Sequence, residues 1–330
     1  MTSFGSKFCE KMAVAWFKDG AWEPFSLEKT EPLRLHPAAH VLHYASTCFE
    51  GFKAYRLPDG TVRIFRLKKH IARMQQSAKA MYLPEPDPDA MREMVYRLVR
   101  ENRDDIPEPP GALYVRPALI GTMPNIGAAA VASDEACLFV LVSPVGDYFA
   151  GGLNPLRILV DDEHMRATPQ LGMAKTGGNY AAALGTILQA RRDFNADQVL
   201  FCPDGDVQET GAANFLMLND QEILTKQLDA SFLHGVTRES VLTLGGDLGY
   251  RITERNITVQ ELLEWAKSGE AALSGTAAVL APVGTLIYKG AEIPVGTGTL
   301  GKNTERLRSA LVDIQCGRAD DAHGWLELVD

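Results

Sequence analysis

The sequence feature that most constrains the fold is an aperiodic stretch, DYFAGGLNP, near the middle of the chain. It combines aromatic residues, glycines and a proline, which is typical of a connection between regular elements. Strand-like and helix-like segments occur on both sides of it, and 330 residues are enough for about two domains. The sequence therefore predicts a first domain over residues 1–150, a connecting loop over residues 151–156 and a second domain over residues 157–330.

Each half mixes strand and helix periodicity, which favours an α+β fold. In the first half, TVRIFRL alternates as a strand does, and the next segment places Ile71, Met74, Ala78 and Met81 at helical spacing. A second helix candidate follows PEPDPD, and ALYVRPALIG and ACLFVLVSPVG are strand-like runs. The order is neither a regular βαβ alternation nor an all-β pattern, so a mixed α+β chain is expected.

The second half begins with the strand-like run LRILVDD. NYAAALGTILQARRD predicts a helix with alanines and leucines on one face, and QVLFCPDGDVQE predicts two strands joined by a turn. ANFLML and EILT form a further strand pair, and a helix is expected to start just past Gly235. VQELLEWAKSG is another helix candidate, after which EAALSGTAAVLAPVGTLIYKG returns to strand.

Charge and cysteine usage narrow the partners and the compartment. The formal net charge of −9 argues against nucleic acid or an anionic membrane as the partner. The five cysteines are scattered and form no Cys-x-x-Cys, which favours reduced, packed thiols in a cytoplasmic protein. The N-terminal residues lack the apolar core of a signal peptide, and no apolar run approaches the roughly 18 residues of a membrane span.

The segment GMAKTGGNYAAALG contains the strongest candidate for a nucleophile. Lys175 is the only lysine between Ala80 and Thr225. Its apolar neighbours penalise the charged form of the amine, and the two glycines that follow let backbone approach a bulky ligand. Tyr180 adds a phenol near the start of the next helix. A neutral amine beside a phenol suits carbonyl chemistry, although an exposed surface lysine is the simpler interpretation.

Three further segments could bind a ligand. In DGDVQETGAANFLML, Glu209 stands among small residues that leave room for a flat ring, or it is an edge carboxylate facing water. Val236 and Thr237 follow Gly235 at a predicted helix N-terminus, which favours either a phosphate or a simple threonine cap. The turn in LSGTAAVLAP could bind an anion through its N–H groups, or it is a β-bulge.

Two other motifs are poor candidates. GTGTLG matches the dinucleotide pattern, but only 29 residues follow it, too few for the remaining βαβ unit. The histidines of HPAAHVLH have metal-like spacing, but core or capping histidines are the better interpretation. We therefore predict no metal site.

The quoted segments together resemble the branched-chain amino acid aminotransferases, pyridoxal-phosphate enzymes of fold type IV. The matching stretches include HVLHYASTCFEGFKAYR, FRLKKHIARMQQSA, LYVRPALIGT, AKTGGNYAA, QETGAANFL, HGVTRES and SGTAAVLAPV, in the family's order over nearly the whole chain. The resemblance implies a two-domain α+β fold like that of D-amino acid aminotransferase. A small α/β N-terminal domain would precede a larger C-terminal pseudo-barrel domain that binds pyridoxal 5'-phosphate.

The resemblance also implies a role for each matching residue. Lys175 would bind the cofactor covalently and carry the proton, Tyr180 would bond its phenolic oxygen, and Glu209 would pair with its ring nitrogen. The residues implied to hold the phosphate are Arg73, Val236, Thr237 and Thr276. Those implied to bind substrate are Tyr44, Thr276 and Ala277 at the α-carboxylate, Phe49, Tyr114 and Tyr148 at the side chain, and Arg116 at the distal carboxylate of glutamate.

The implied reaction is reversible transfer of the amino group of leucine, isoleucine or valine to 2-oxoglutarate, in a cytoplasmic homodimer.

Some positions depart from the family. Ala278 and Ala281 replace the Cys-x-x-Cys of mammalian relatives, and TGAAN replaces bulkier residues beside Glu209. The alternatives are a D-amino acid aminotransferase, an aminodeoxychorismate lyase, and a non-enzymatic protein that binds a phosphorylated ligand.

Overall fold

A computed structural model of the chain describes residues 4–146 and 152–329, which contain 17 strands and seven α-helices. The strands are β1 (Lys11–Lys18), β2 (Ala21–Trp22), β3 (Ser26–Lys29), β4 (Thr47–Phe49), β5 (Phe52–Arg56), β6 (Val62–Phe65), β7 (Ala112–Gly121), β8 (Ala136–Val145), β9 (Leu156–Asp161), β10 (Gln198–Phe201), β11 (Asn214–Leu218), β12 (Glu222–Thr225), β13 (Arg251–Glu254), β14 (Glu270–Gly275), β15 (Val279–Tyr288), β16 (Ala291–Pro294) and β17 (Leu326–Val329). The helices are α1 (His40–Tyr44), α2 (Leu67–Ala80), α3 (Pro88–Glu101), α4 (Gly177–Phe194), α5 (Val236–Asp247), α6 (Val259–Trp265) and α7 (Lys302–Gln315).

The contacts within the chain define two compact units. The first contains the described residues up to 146, the segment Ala174–Gly177 and the end of the chain from Ile314. The second contains the described residues from 152 to 173 and the segment Gly178–Asp313. The predicted domains, 1–150 and 157–330, stay a prediction; the units differ from them by placing 174–177 and the C-terminal segment in the first.

The first unit is built on a nine-stranded sheet in the order β17-β6-β5-β7-β8-β1-β2, with β3 paired to β1 and β4 to β7. Its pairs are antiparallel. The helices α2 and α3 bury their apolar faces in the core of this unit, which includes Phe52, Met74 and Leu98. The start of α3 is fixed by Asp87, whose carboxylate accepts hydrogen bonds from the N–H groups of Asp89 and Ala90.

The second unit is built on an eight-stranded mixed sheet in the order β10-β9-β15-β14-β11-β12-β13, with β16 paired to β15. The pairs β10–β9, β9–β15 and β12–β13 are parallel. Phe215, Met217 and Leu273 point to one face and join the core that contains Leu262 of α6. Because strand side chains alternate, Asn214 of β11 and its cross-strand partner Ser274 of β14 point to the opposite face.

Most of the predicted elements are confirmed. The run ALYVRPALIG is β7 at both of its ends, EILT is β12, and α2 begins and ends within a few residues of the apolar periodicity that predicted it. A helix does begin just past Gly235, and the five cysteines are free and buried. The α+β prediction is confirmed by two sheets combined with seven helices in the described residues.

Three details differ from the expectations. The second strand predicted in QVLFCPDGDVQE does not form, and Thr210 and Glu209 make only isolated bridges, to Leu200 and Asn214. The SGTAA segment is the turn between two antiparallel strands, rather than a bulge inside one. On α4 the leucines do not face the core: Leu184 and Leu188 are each 51% exposed, while Asn179 is buried.

None of the helices in residues 4–146 and 152–329 is long and apolar enough to span a bilayer.

Candidate active site

Lys175 is held in the first unit by its backbone. Its N–H donates to Ser77 Oγ at 3.0 Å, and its carbonyl accepts a hydrogen bond from the N–H of Phe49 at 2.9 Å. The next residue, Thr176, donates its hydroxyl to the carbonyl of Thr47 at 2.7 Å. These hydrogen bonds hold residues 175 and 176 between α2 and β4. The backbone of Lys175 is therefore fixed at the point from which its side chain extends.

An aromatic wall lies beside the amine. The Nζ atom of Lys175 is 5.1 Å from the centre of the Phe49 ring, and the guanidinium of Arg116 is 4.8 Å from the same ring. Arg116 also donates through Nη2 to the hydroxyl of Tyr114 at 2.8 Å. Gly51 makes room for that hydroxyl, since a Cβ at this position would lie 1.9 Å from it. The structure therefore brings Lys175, Phe49, Tyr114 and Arg116 together.

A buried group of charges lies directly after Phe49. Glu50 is fully buried and accepts hydrogen bonds from Arg73 Nε at 2.6 Å, Arg73 Nη2 at 2.9 Å and His70 Nδ1 at 2.7 Å. Burial opposes ionisation of Glu50, but the charge of Arg73, with a further contribution from His70, holds the pKa of the carboxyl well below its usual range. Arg73, implied to hold a phosphate, is therefore oriented by a carboxylate.

The same surroundings act differently on His70. Burial is the largest influence and lowers its pKa; Glu50 acts in the opposite direction, while Arg73 and Lys175 add to the lowering. His70 is thus neutral in the folded protein at pH values where an exposed histidine begins to take up a proton.

The free energy of unfolding should therefore fall as the pH drops below about 6.5, the ordinary pKa of histidine. In this window the unfolded chain binds a proton at His70 that the folded chain does not, so one histidine contributes up to about 1.4 kcal/mol per pH unit. Urea denaturation at pH 7.5, 6.5 and 5.5 measures the decline. His70→Asn keeps a donor for Glu50 and should decline less over this range.

The control for this experiment is His164→Asn, because the side chain of His164 is 62% exposed. This variant measures the effect that replacing a histidine at the surface with asparagine has by itself. An unchanged decline in His70→Asn would contradict the assignment of the effect to His70.

In the second unit, Glu209 is buried and contacts three polar groups. Its Oε1 accepts hydrogen bonds from the N–H of Leu233 at 2.8 Å and is 2.6 Å from Arg166 Nη2, while its Oε2 accepts from Asn214 Nδ2 at 3.0 Å. Glu209 and Arg166 are 2% and 3% exposed. The interpretation of Glu209 as an edge carboxylate facing water is therefore wrong, because the carboxylate points inward.

The N-terminus of α5 has the features of an anion site. Its N-cap is Gly235, and no side chain in the described part of the chain caps its first turn, which contains the buried residues Val236 and Thr237. The simple threonine cap is therefore wrong. Uncapped N–H groups at the positive end of a 12-residue helix favour a phosphate.

The turn with Thr276 and Ala277 joins β14 to β15 and lies near the TGAAN segment, since a Cβ on Gly275 would be 3.7 Å from Ala213. Just before this turn, Ser274 is 2% exposed, and its hydroxyl has no hydrogen-bond partner among the described residues. A buried hydroxyl of this kind is costly unless a ligand or water completes its hydrogen bonding.

The remaining candidates are the three tyrosines. Tyr44 ends α1; its ring lies against His40 and its hydroxyl donates to the carbonyl of Ile126. Tyr180 is in the first turn of α4 and is partly exposed. Tyr148 lies outside the described residues. The substrate and cofactor contacts expected of these three stay predictions.

His40 has the core role expected of it. Its Nδ1 is 2.9 Å from Ser46 Oγ, and its Nε2 lies within 3.2 Å of the carbonyls of Ala128 and Val131. His43 contacts the carbonyl of Pro37. The core interpretation is thus confirmed for His40, whereas His36 and His43 are exposed.

Three polar residues that support the candidates were not found from the sequence: Glu50, Arg166 and Asn214. Each contacts a residue that was singled out. The available signal was weak, because Glu50 and Asn214 are merely polar positions within apolar runs. Buried charges require partners, so Glu50 beside Phe49 and Phe52 is the position where such a search could have started.

These groups define a class of protein. An amine beside an aromatic wall suits covalent chemistry on carbonyl compounds, and a helix N-terminus without a cap suits a phosphorylated ligand. Each of these two groups, taken by itself, is of the kind that an enzyme of carbonyl chemistry with a phosphorylated cofactor uses.

Comparisons with known proteins identify the family. The model of the family described as "Amino-transferase class IV" matches residues 47–286. A probable branched-chain-amino-acid aminotransferase of Streptomyces coelicolor is 39% identical over 98% of this chain and 91% of its own length. Branched-chain-amino-acid aminotransferase 2 of Bacillus subtilis is 36% identical over 98% of this chain and 92% of its own length. The chain belongs to the class IV aminotransferase family.

Solved structures agree with this assignment. A T.th. branched-chain amino acid aminotransferase with pyridoxamine 5'-phosphate has a TM-score of 0.80 and 27% identity, covering 96% of this chain and 98% of that chain. The Escherichia coli branched-chain amino acid aminotransferase has a TM-score of 0.78 and 26% identity, covering 98% and 99%. The predicted fold type IV aminotransferase fold is confirmed.

Proposed function

We propose that this chain is a branched-chain amino acid aminotransferase that uses pyridoxal 5'-phosphate. It transfers the amino group of leucine, isoleucine or valine to 2-oxoglutarate, which gives glutamate and a branched 2-oxo acid. The observation that carries this proposal is the group of Phe49, Tyr114 and Arg116 beside Lys175. Aromatic walls accept an aliphatic side chain, and one arginine accepts the distal carboxylate of glutamate.

The donors of the chain fit pyridoxal 5'-phosphate. The uncapped N-terminus of α5, with Val236 and Thr237, suits the phosphate, as do Arg73 and Thr276. The buried carboxylate of Glu209 suits a protonated ring nitrogen, and Tyr180 the phenolic oxygen. The buried hydroxyl of Ser274 has no hydrogen-bond partner among the described residues and lies just before the turn that contains Thr276.

When bound, this cofactor supplies an electron-poor ring that takes up the electron pair left when the α-proton of the amino acid is removed. The chain supplies the rest. Lys175 Nζ would hold the cofactor and would accept and return the α-proton, while Tyr44, Thr276 and Ala277 would receive the α-carboxylate. Phe49 and Tyr114 would contact the substrate side chain and exclude water from it, and the family resemblance implies the same role for Tyr148.

The assembly and the compartment are part of the same proposal. We infer a cytoplasmic homodimer with small-molecule substrates and without nucleic-acid or membrane partners. The net charge of −9 supports the inference about nucleic-acid and membrane partners, and the five free, buried cysteines support the compartment. Size-exclusion chromatography with light scattering tests the dimer.

The test of the function is an end-point assay. The purified chain with pyridoxal 5'-phosphate is incubated with 2-oxoglutarate and leucine, isoleucine or valine, and glutamate is measured. Glutamate is expected from at least one of the three. Its absence from all three rejects the proposal, and activity on D-alanine, or pyruvate release from aminodeoxychorismate, would identify the alternative enzymes.

Arg116→Gln should separate the two substrates. Loss of a charge-assisted hydrogen bond costs about 1.5–3 kcal/mol, or roughly 10- to 150-fold in kcat/KM for glutamate. The value for leucine should change by less than about 3-fold, since its side chain has no charge to pair. Steady-state kinetics of each half-reaction measure both values.

Tyr114→Phe is the matched control, because it removes the hydroxyl that Arg116 contacts and keeps the charge. It should affect glutamate less than Arg116→Gln does. An equal loss of kcat/KM for leucine and glutamate in Arg116→Gln would contradict the role of Arg116 in recognising the distal carboxylate.

A further inference from the structure

Asn214, the first residue of β11, is a buried amide that contacts two separate elements of the second unit. It is 4% exposed, and its Nδ2 donates to Glu209 Oε2 at 3.0 Å and to the carbonyl of Leu233 at 2.8 Å. A side-chain amide has two N–H hydrogens, so both are used. A residue with fewer donors at this position would therefore lose at least one of the two hydrogen bonds.

The peptide segment at Leu233 closes a ring of hydrogen bonds. Its N–H donates to Glu209 Oε1 at 2.8 Å, and its carbonyl accepts from Asn214. The carboxylate, the amide and this segment thus fix one another in position. Arg166 lies against the same Oε1 at 2.6 Å and compensates the buried charge of Glu209.

The same ring fixes the start of α5. Leu233 precedes the N-cap Gly235 by two residues. Gly235 lies so close to Asn214 that a Cβ on it would be 1.9 Å from Asn214 Oδ1, which leaves room only for glycine. Asn214 therefore contacts both Glu209 and the residue from which the uncapped first turn of α5 begins.

We propose that Asn214 is a positioning residue that sets the Glu209 carboxylate relative to the N-terminal turn of α5. This inference rests on the proposed function, in which Glu209 meets the ring nitrogen and α5 meets the phosphate of one rigid cofactor. Groups that bind two ends of a rigid ligand must be held to within about 0.5 Å. Asn214 supplies that constraint through its contacts with Glu209, with the carbonyl of Leu233 and with Gly235.

The first test uses the cofactor-free full-length chain and hydrogen–deuterium exchange. In Asn214→Ala, the peptide containing Leu233 to Thr237 should exchange at least about tenfold faster, because the hydrogen-bond ring is broken. The matched control is Asn303→Ala. Asn303 is also buried in the second unit, and its Nδ2 donates to carboxylates of Glu270 and Asp220. In this control, exchange of residues 233–237 should not change.

The second test measures pyridoxal 5'-phosphate and inorganic phosphate binding by titration calorimetry. The Kd for pyridoxal 5'-phosphate should rise about 10- to 100-fold in Asn214→Ala, equivalent to one or two lost hydrogen bonds to a charged group. In the saturated enzyme, kcat should fall while KM for leucine changes by less than about 3-fold, because substrate contacts are intact. Asn303→Ala should retain wild-type values.

A double-mutant cycle shows whether Asn214 acts through Glu209. In the double variant, the fold-increase in Kd should be smaller than the product of the fold-increases in Asn214→Ala and Glu209→Gln. The reason is that both substitutions break the same hydrogen-bond ring. Asn214→Leu, which has a similar volume and no donors, repeats the measurements if the alanine variant folds poorly.

The two levels of failure are distinct. A wild-type chain that binds no pyridoxal 5'-phosphate would reject the proposed function. Normal wild-type binding with unchanged exchange and unchanged Kd in both Asn214 variants, or multiplicative effects in the cycle, would overturn the role of Asn214.

Discussion

Lys175→Arg is expected to abolish amino-group transfer while the fold is retained. The structure holds this residue through its backbone, to Ser77 Oγ and to the N–H of Phe49, and a new side chain leaves both hydrogen bonds in place. Arginine keeps the positive charge but cannot lose a proton in a protein, so it can neither bind an aldehyde nor accept the α-proton. Turnover should fall by at least about 10³-fold, within the range for loss of a general acid–base group.

The measurement combines kinetics with covalent trapping. Borohydride reduction of the cofactor-loaded wild type, followed by peptide mapping, should label the peptide that contains Lys175, and the variant should remain unlabelled there. Lys79→Arg is the control, because Lys79 is exposed on α2 of the same unit and makes the same exchange of residues. Substantial turnover by Lys175→Arg, or label on another lysine, would refute the assignment.

The location of Lys175 also shows the limit of prediction from sequence. Its isolation among arginines and its apolar, glycine-rich neighbours were visible, and these made the residue a candidate. Its attachment to the first unit was not visible, because Ser77 and Phe49 lie about a hundred residues earlier in the chain. A hydrogen bond between segments so far apart leaves no local pattern, and contiguous domains were the simplest expectation.

Regular elements were predicted well where their periodicity was long. β7 has ten residues with a clear apolar run, and α3 places its apolar residues on one face behind the Asp87 cap. The second strand expected in QVLFCPDGDVQE, which would end at Glu209, does not form, and the reason is physical. Pro203 and the left-handed Asp204 turn the chain after β10, so the backbone of Glu209 and Thr210 makes only isolated bridges.

The candidate residues themselves could be predicted, but the groups that orient them could not. Glu209 was singled out from its own segment and Arg73 was implied by the family resemblance, whereas their partners Glu50 and Arg166 were not. A partner is chosen by distance in the folded chain, and a single sequence carries no record of that distance. The buried ion pairs are therefore where the structure adds most to the sequence.

Glu50→Gln is expected to lower the free energy of unfolding by about 3–5 kcal/mol, the cost of removing one member of a buried ion pair. Glu50 is fully buried, and the guanidinium of Arg73 would lose its counter-charge in a place that water does not reach. Denaturation with urea at pH 7 measures the change. The control is Glu264→Gln. The side chains of Glu264 and Lys267 are 66% and 67% exposed, so their ion pair should contribute less than about 1 kcal/mol.

The dependence on pH identifies the charge as the cause. Because the folded pKa of Glu50 lies below the unfolded value of about 4.3, its stabilisation is complete above that pH and is lost as the pH falls toward the folded pKa. The difference between wild type and Glu50→Gln should therefore narrow below about pH 4.3. A difference below 1 kcal/mol at pH 7, or one that stays constant into acid, would mean that packing rather than the charge of Glu50 holds Arg73 in place.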